Sequence, residues 1–130
     1  MSRKKAREAA FKLVYQTDIN KDDINEQLEL YFDENTTDDK SREYIRGVVS
    51  GIDQQKNQID TELTQYLASA WKIDRISKVD LAILRLAYYE IKFVDDVPKG
   101  VAINEAVELA KIYSEEQSAK FINGILANID

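Results

Sequence analysis

The chain of 130 residues contains no cysteine and no histidine. Without these side chains there is no disulfide, no ordinary zinc site and no Ser-His or Cys-His pair for nucleophilic catalysis. No apolar run approaches the roughly 20 residues that span a membrane, and no continuous apolar stretch of a signal peptide follows the basic N-terminus. An enzyme would therefore have to use carboxylates, lysines or a cofactor. We expect instead a cytoplasmic protein that is not an enzyme and that holds neither metal nor cofactor.

The acidic residues do not form an obvious catalytic pair either, because the closest candidates are neighbours in sequence. These candidates are Asp22-Asp23, Asp38-Asp39, Asp95-Asp96 and Glu115-Glu116. Adjacent side chains on a helix diverge by about 100°, so they do not converge on one substrate atom. We expect the pairs at helix N-termini and in solvated loops.

Proline and glycine are scarce, at one and four residues, and apolar residues recur at spacings of three and four. This periodicity predicts an all-α fold. The predicted helices cover about residues 3–18, 22–34, 39–67, 77–93, 104–113 and a last segment after 114. In the first helix, the buried face consists of Ala6, Ala9, Ala10, Leu13 and Thr17.

The apolar pattern also predicts where the long third segment breaks and where the chain divides. Residues 54–58 are polar and weaken the stripe, so we expect a bend or break there. The pattern lapses between 68 and 76, a stretch that contains Trp71. The segments 1–68 and 76–130 could each form a three-helix bundle, and each is small for a separate core. We therefore expect one domain of two packed bundles.

Capping residues predict the boundaries of the C-terminal helices. Ser77 with Asp80 three residues later resembles a capping box in which Asp replaces Glu. The stretch 95–100 is the clearest loop, and Asn104 is a good N-cap for the helix that follows. The stretch 114–117 predicts a second capping box before the last helix.

The charge of the chain is distributed unevenly. Residues 1–12 carry five cations against one carboxylate, a local charge of +4, whereas the rest carries 13 cations and 23 carboxylates, a charge of −10. This pattern suggests a basic arm on an acidic body. The alternative is a disordered solvating tail, which the helical pattern of the same residues disfavours.

A helical wheel of residues 3–17 places cations and aromatic rings together on the arc opposite the alanines. This arc consists of Arg7, Phe11, Lys4, Tyr15, Glu8, Lys12 and Lys5. Cations can neutralise RNA phosphates, and an exposed ring can stack on an unpaired base. We expect Tyr15 to stack on a base while Arg7 holds the backbone. The alternative is a solvated face with Phe11 and Tyr15 turned toward a neighbouring helix.

The segment 80–90 is apolar nearly all round, which predicts burial on several sides. Arg85 and Glu90 are unusual within it. A buried structural pair with nearby carboxylates is one interpretation. The surplus of apolar and aromatic surface is also compatible with a face for a protein partner.

Four motifs in register resemble the NusB family of bacterial transcription antitermination factors over residues 3–126. They are RKKAREAA followed by LVY, VDxxILRxAxYE, VPxxVAINEAVELAK and KFINGIL, which begin at Arg3, Val79, Val97 and Lys120. The resemblance implies a helical fold of two bundles without catalytic activity. It also implies binding to boxA RNA as a heterodimer with the ribosomal protein NusE, within an antitermination complex of RNA polymerase.

The same resemblance implies which residues meet RNA. Arg3, Lys4, Lys5, Arg7 and Tyr15 would belong to the RNA surface, with Phe121 beside it and Asp80 near both RNA and partner. The family's opening is often richer in arginine, and Lys4 and Lys5 replace bidentate forks with point charges. Gln117 stands where some relatives carry an acidic residue, so its effect on RNA affinity is open.

Two other functions remain open at this stage. NusB-like domains also precede the catalytic domains of ribosomal RNA methyltransferases, but the sequence up to Asp130 contains no α/β domain with a glycine-rich cofactor loop. The second alternative is a protein-protein scaffold without specific RNA binding. The free chain could be a monomer or a homodimer that covers its own RNA surface.

Overall fold

The structure, a computed structural model, describes residues 1–68 and 72–130. Within these ranges the regular elements are helices, which confirms the all-α fold class. The α-helices are α1 (Arg3–Asn20), α2 (Ile24–Glu34), α3 (Asp39–Gln54), α4 (Lys56–Thr64), α5 (Lys78–Phe93), α6 (Lys99–Tyr113) and α7 (Glu116–Leu126), with a 3₁₀-helix at Ile73–Arg75. Trp71 lies outside the described residues.

Acidic side chains begin two of the N-terminal helices. The carboxylate of Asp23 accepts the backbone N–H of Glu26 at 3.0 Å at the start of α2. Asp38 accepts the backbone N–H of Ser41 at 3.1 Å at the start of α3. Each bond satisfies a donor that the first turn of a helix leaves unpaired. The prediction that these acidic pairs lie at helix N-termini is confirmed.

The predicted break in the long third segment is also confirmed. Helix α3 ends at Gln54 and α4 begins at Lys56. Gln55, between them, leaves the helical region at φ −109° and ψ 16°. Because the polar residues here have no apolar face to bury, nothing favours continuing the helix in a straight line.

Asn104 is not the N-cap of α6, so that prediction is wrong. The helix begins at Lys99, and Pro98 occupies the N-cap position with φ −61° and ψ 145°. Ala102 is buried, as is Ala106 one turn later. The earlier start extends the buried stripe by a turn, and this burial outweighs the capping preference of Asn104.

The two predicted capping boxes, at the starts of α5 and α7, are not formed as predicted, because their side chains make other hydrogen bonds. Ser77 caps α5 by accepting the backbone N–H of Asp80 at 3.1 Å, as predicted. The carboxylate of Asp80, however, accepts the hydroxyls of Ser114 at 2.6 Å and Ser118 at 2.9 Å. The N-cap of α7 is Glu115, without a side-chain bond, so the box predicted at 114–117 is wrong. The two hydroxyls join the end of α6 and the first turn of α7 to α5.

Helix α5 lies at the centre of the molecule and contacts α1, α3, α4, α6 and α7. Every residue from 81 to 88 is buried, which confirms the predicted burial on several sides. Each large apolar side chain buried there contributes about 1.5–3 kcal/mol. Buried residues from 1–68 and from 76–130 form one hydrophobic core. The division into two three-helix bundles stays a prediction.

In the ranges that the structure describes, none of the helices combines the length and the apolar character needed to cross a membrane.

Candidate nucleic-acid interface

Helix α1 carries the basic segment and buries the face that the sequence predicts. The hydroxyl of Ser2 accepts the backbone N–H of Lys5 at 3.1 Å and so fixes the start of the helix within the basic segment. The predicted inward residues are all buried: Ala6, Ala9, Ala10, Leu13 and Thr17. The cations therefore lie on a folded helix and not on a disordered tail.

The lysines of this helix remain on the surface. Lys4, Lys5 and Lys12 are exposed, and the side chain of Lys4 retains 65% of its accessible area. Arg3 is half-buried, with its guanidinium 4.4 Å from the centre of the Tyr44 ring. The three lysines are the exposed cations of this arm, and their charged groups are accessible to a phosphate chain.

Arg7 does not lie on the exposed arc, so this part of the helical-wheel prediction is wrong. Its side chain is 5% exposed, and its Nε and Nη2 donate to the two carboxylate oxygens of Glu90 at 2.8 and 2.9 Å. Burial alone would lower the pKa of Arg7, but the hydrogen bond and the charge of Glu90 raise it above its ordinary value. Arg7 remains charged and joins α1 to α5, and it cannot hold RNA in this conformation.

The structural interpretation of Arg85 and Glu90 is confirmed, although the two do not pair with one another. Arg85 donates to both carboxylate oxygens of Asp60 at 2.8 Å and lies 3.5 Å from Asp18. Glu90 binds Arg7. Arg85 and Glu90 therefore pair within the protein and do not form a surface for a partner.

An aromatic cluster connects α1 to the end of α6. Phe11 is buried, and its ring centre lies 6.3 Å from that of Tyr15 and 5.1 Å from that of Tyr113. The helical wheel places Phe11 on the outer arc, and the structure has the alternative, in which Phe11 turns toward a neighbouring helix and is buried. Tyr15 is half-buried and packs against the core, so it has both a packed side and an accessible side.

Tyr113 is a site residue that the sequence analysis missed. Its hydroxyl donates to Glu8 at 2.8 Å, and the ammonium of Lys12 lies 5.6 Å from its ring centre. The position of Tyr113 at the end of α6, directly before Ser114, was the only available signal. The contact depends on how α6 packs on α1, which a single-helix pattern does not report.

Three sequence-predicted residues that are distant in the chain line one pocket of about 230 Å³. These are Asp80, Gln117 and Phe121. Arg75 lines the same pocket and adds a positive charge. Asp80 is 8% exposed and is held by the two serine hydroxyls described above. A ring, an amide, a carboxylate and a guanidinium around one pocket are the groups that recognise an unpaired base and its phosphate.

The aromatic cluster and this pocket are neighbours through the chain itself. Tyr113 contacts Phe11 and Lys12, and the next residue, Ser114, binds Asp80 in the pocket. Contacts between residues thus connect the lysines of α1 to the aromatic cluster, and the aromatic cluster to the pocket. Arg3 is separate, because it lines a different cavity with Tyr44 and pairs with Asp96 at 3.6 Å.

Residues 1–68 and 72–130 contain no group of three or more acidic, cysteine or histidine side chains placed to hold a metal ion. What the described surface offers is positive charge, ring faces and hydrogen-bonding groups.

Comparison with known proteins connects this arrangement to a family. The sequence model of the NusB family matches residues 4–130. A transcription antitermination protein NusB from Acetivibrio thermocellus is 50% identical over 129 residues, which cover 99% of this chain and 88% of that relative. Similarity therefore extends through both the basic helix and the pocket.

Solved structures give the same result. NusB from T. maritima matches with a TM-score of 0.91 at 41% identity, covering 98% of this chain and 89% of that chain. A complex described as antitermination factors NusB and NusE with dsRNA matches with a TM-score of 0.86 at 29% identity, covering 96% of this chain and 92% of that chain.

Proposed function

Because the chain belongs to the NusB family, it is a non-enzymatic transcription antitermination factor, and we propose that it binds boxA-type single-stranded RNA through one continuous surface. This surface, which we call the RNA path, consists of Lys4, Lys5 and Lys12 on α1, the rings of Tyr15 and Tyr113, and the pocket around Asp80, Gln117 and Phe121. We also propose that it acts in the cytoplasm, where transcripts are made.

The observation that carries the proposal is the contact of Tyr113 with α1, followed by the bond from Ser114 to Asp80. It connects the helix that carries the lysines to the polar pocket through two consecutive residues. Exposed lysines supply the electrostatic attraction to phosphates, which carries no sequence information. The pocket supplies groups that can distinguish bases. A single strand that crosses both would be bound tightly and selectively.

Gln117 fits this proposal as a neutral residue at the pocket. It is exposed and lines the pocket together with Phe121. An acidic side chain at this position would place a negative charge beside the path of the phosphates. RNA should therefore bind more tightly with Gln117 than with an acidic residue at this position, because the neutral amide does not repel the phosphates.

We further propose NusE as the protein partner, because the structural neighbour described above contains NusB together with NusE and RNA. The residues of α5 that are buried do not reach the surface, so the helices that follow α5 would supply most of this face. A groove of about 760 Å³ between α6 and α7, lined by Ile103, Val107 and Ala119, offers apolar surface instead.

The proposed RNA binding is tested by titrating fluorescent boxA RNA and a scrambled RNA of equal length with the protein. Preferential binding of boxA, strengthened by added NusE, is the expected result. If both components contact one RNA, each should strengthen the binding of the other reciprocally. Equal affinity for both RNAs would contradict the specificity. No binding of either RNA, with NusE still bound, would favour a protein-protein scaffold.

The role of the protein in an RNA polymerase complex is tested by measuring transcription. Transcription through a terminator placed downstream of boxA should increase when the protein and NusE are added together. A template in which boxA is scrambled provides the control. Equal read-through on both templates would contradict a role that depends on this RNA element.

A further inference from the structure

One lysine of the RNA path is already paired with a carboxylate of the protein. The ammonium of Lys4 lies 3.4 Å from Oε2 of Glu105, which is on α6. The side chain of Lys4 is 65% exposed, whereas that of Glu105 is only 21% exposed. The lysine is therefore the partner that solvent or RNA can reach, and the carboxylate is the more buried one.

Glu105 is fixed because it also faces Arg7. The Nη1 of Arg7 lies 4.0 Å from Oε2 of Glu105. The same guanidinium is bound through Nε and Nη2 to Glu90. Two carboxylates thus share one buried cation, and Lys4 supplies the second positive charge that balances them. When Lys4 turns toward RNA, the carboxylates of Glu90 and Glu105 are left with Arg7 as their cation, and Glu105 remains in place.

We propose that Glu105 competes with RNA phosphate for Lys4 and so sets the affinity and the salt dependence of RNA binding. This inference rests on the proposed function, because it assumes that Lys4 contacts phosphate. A phosphate that takes Lys4 must replace an existing ion pair and must approach a carboxylate that stays behind. Glu105 therefore disfavours weak backbone contacts, and RNAs that also fill the pocket are bound in preference.

The proposal predicts that Glu105→Gln binds RNA more tightly than the wild type. The gain should be about 1.5- to 5-fold, the range expected when a partly exposed ion pair no longer has to be broken. The salt dependence should also become steeper, by up to the roughly 0.7 unit in the log-log slope that one single-strand phosphate contact contributes. In the wild type, a carboxylate freed by RNA takes up a cation and offsets part of the cation release.

A matched control exists one turn along the same helix. Glu108 pairs with Lys111 at 3.6 Å, and its side chain is 42% exposed. Glu108 lines the same cavity as Lys4 and Glu105. Glu108→Gln therefore removes the same charge from nearly the same place without breaking a pair with Lys4, and it reports the effect of the electrostatic field alone. The gain from Glu105→Gln should exceed that from Glu108→Gln, and this excess should disappear when Lys4 is already alanine.

The measurement is RNA anisotropy at several salt concentrations for the wild type, Glu105→Gln, Glu108→Gln, Lys4→Ala and the double variant Lys4→Ala, Glu105→Gln. Thermal unfolding first establishes that each variant is folded. Absence of RNA binding by the wild type would contradict the proposed function itself. If the wild type binds, any of three results would overturn the competition alone. These are equal gains from both glutamine variants, no gain at position 105, and a gain at position 105 that still exceeds that of Glu108→Gln in the absence of Lys4.

Discussion

The guanidinium of Arg7 and the carboxylate of Glu90 form a buried two-bond ion pair that joins α1 to the central helix α5. The two residues are 83 positions apart in the chain, and their side chains are 5% and 1% exposed. At the other end of the same helix pair, Asp18 lies 3.5 Å from Arg85. The basic helix is thus held to α5 by opposite charges at two points, which fixes the orientation of the RNA path.

Replacing Arg7 by alanine should destabilise the fold strongly. The change leaves the carboxylate of Glu90 buried without its main partner, and breaking a buried pair in this way costs about 3–5 kcal/mol. Urea unfolding at neutral pH measures the loss. The double variant Arg7→Met, Glu90→Leu removes both charges and should recover much of the stability. A loss below about 1 kcal/mol for Arg7→Ala would contradict the structural role.

Acid should remove the stabilisation that Asp18 provides. Burial alone would raise the pKa of Asp18, but the hydrogen bond from Lys56 and the charges of Arg85 and Lys78 outweigh it and hold the pKa well below its ordinary value. Because the folded-state pKa lies below the unfolded value of about 3.9, this contribution is present above that value. It is lost as the pH falls from about 4 toward the folded-state pKa.

Asp18→Asn should lower the free energy of unfolding at pH 7 by about 1.5–3 kcal/mol, the value of a hydrogen bond to a charged group. It should also reduce the dependence of stability on pH below about 4. Unfolding midpoints in urea at pH 7 and pH 3 measure both effects. The control is Asp53→Asn. Asp53 is exposed and lines the same small cavity as Asp18. An unchanged acid dependence in Asp18→Asn would show that other carboxylates cause it.

The sequence predicts the elements whose signal lies within one helix. Local periodicity predicts three features that the structure has. They are the buried alanine face of α1, the burial of α5 on several sides and the polar interruption at Gln55. Packing on several sides leaves few polar positions in α5, which makes its burial evident from composition alone.

The second buried stripe of α1 was missed because a helical wheel assumes one buried face. Arg7, Phe11, Val14 and Asp18 are spaced four, three and four residues apart, and all are buried because α1 packs against α3, α5 and the helices beside them. The available signal was in α5. Its buried Arg85 and Glu90 required partners of opposite charge, and this stripe of α1 begins with a cation and ends with an anion.

The charged arm should account for most of the salt dependence of RNA binding. Lys4→Ala with Lys5→Ala should flatten the log-log slope by about one unit, since each single-strand phosphate contact contributes about 0.7. The fold should be unaffected because both side chains are exposed. Arg42→Ala with Arg46→Ala removes two exposed cations that lie over the Phe32 ring, away from the RNA path. An equal change of slope in this control would show that the loss is a general effect of charge.

Tyr15 provides the sharpest test of how the RNA path recognises bases. Its ring is the outer member of the aromatic cluster and stacks on Phe11 at an interplanar angle of 29°. A base stacked on such a ring contributes about 1–3 kcal/mol, so Tyr15→Ala should weaken RNA binding about 5- to 150-fold. The salt slope should change little because no cation is removed. Tyr15→Phe should retain most of the affinity, since the ring and not the hydroxyl makes the contact.

A packing role for Tyr15 would give a different result, and Tyr31 distinguishes the two. Tyr31 is also half-buried and lies against Phe32, with ring centres 5.5 Å apart, on α2 away from the RNA path. Tyr31→Ala and Tyr15→Ala should lower the melting temperature to a similar extent, because each removes one partly buried ring. Only Tyr15→Ala should then weaken RNA binding at a temperature where both variants are folded. Equal RNA affinity of the two folded variants would mean that Tyr15 supports the core and does not contact a base.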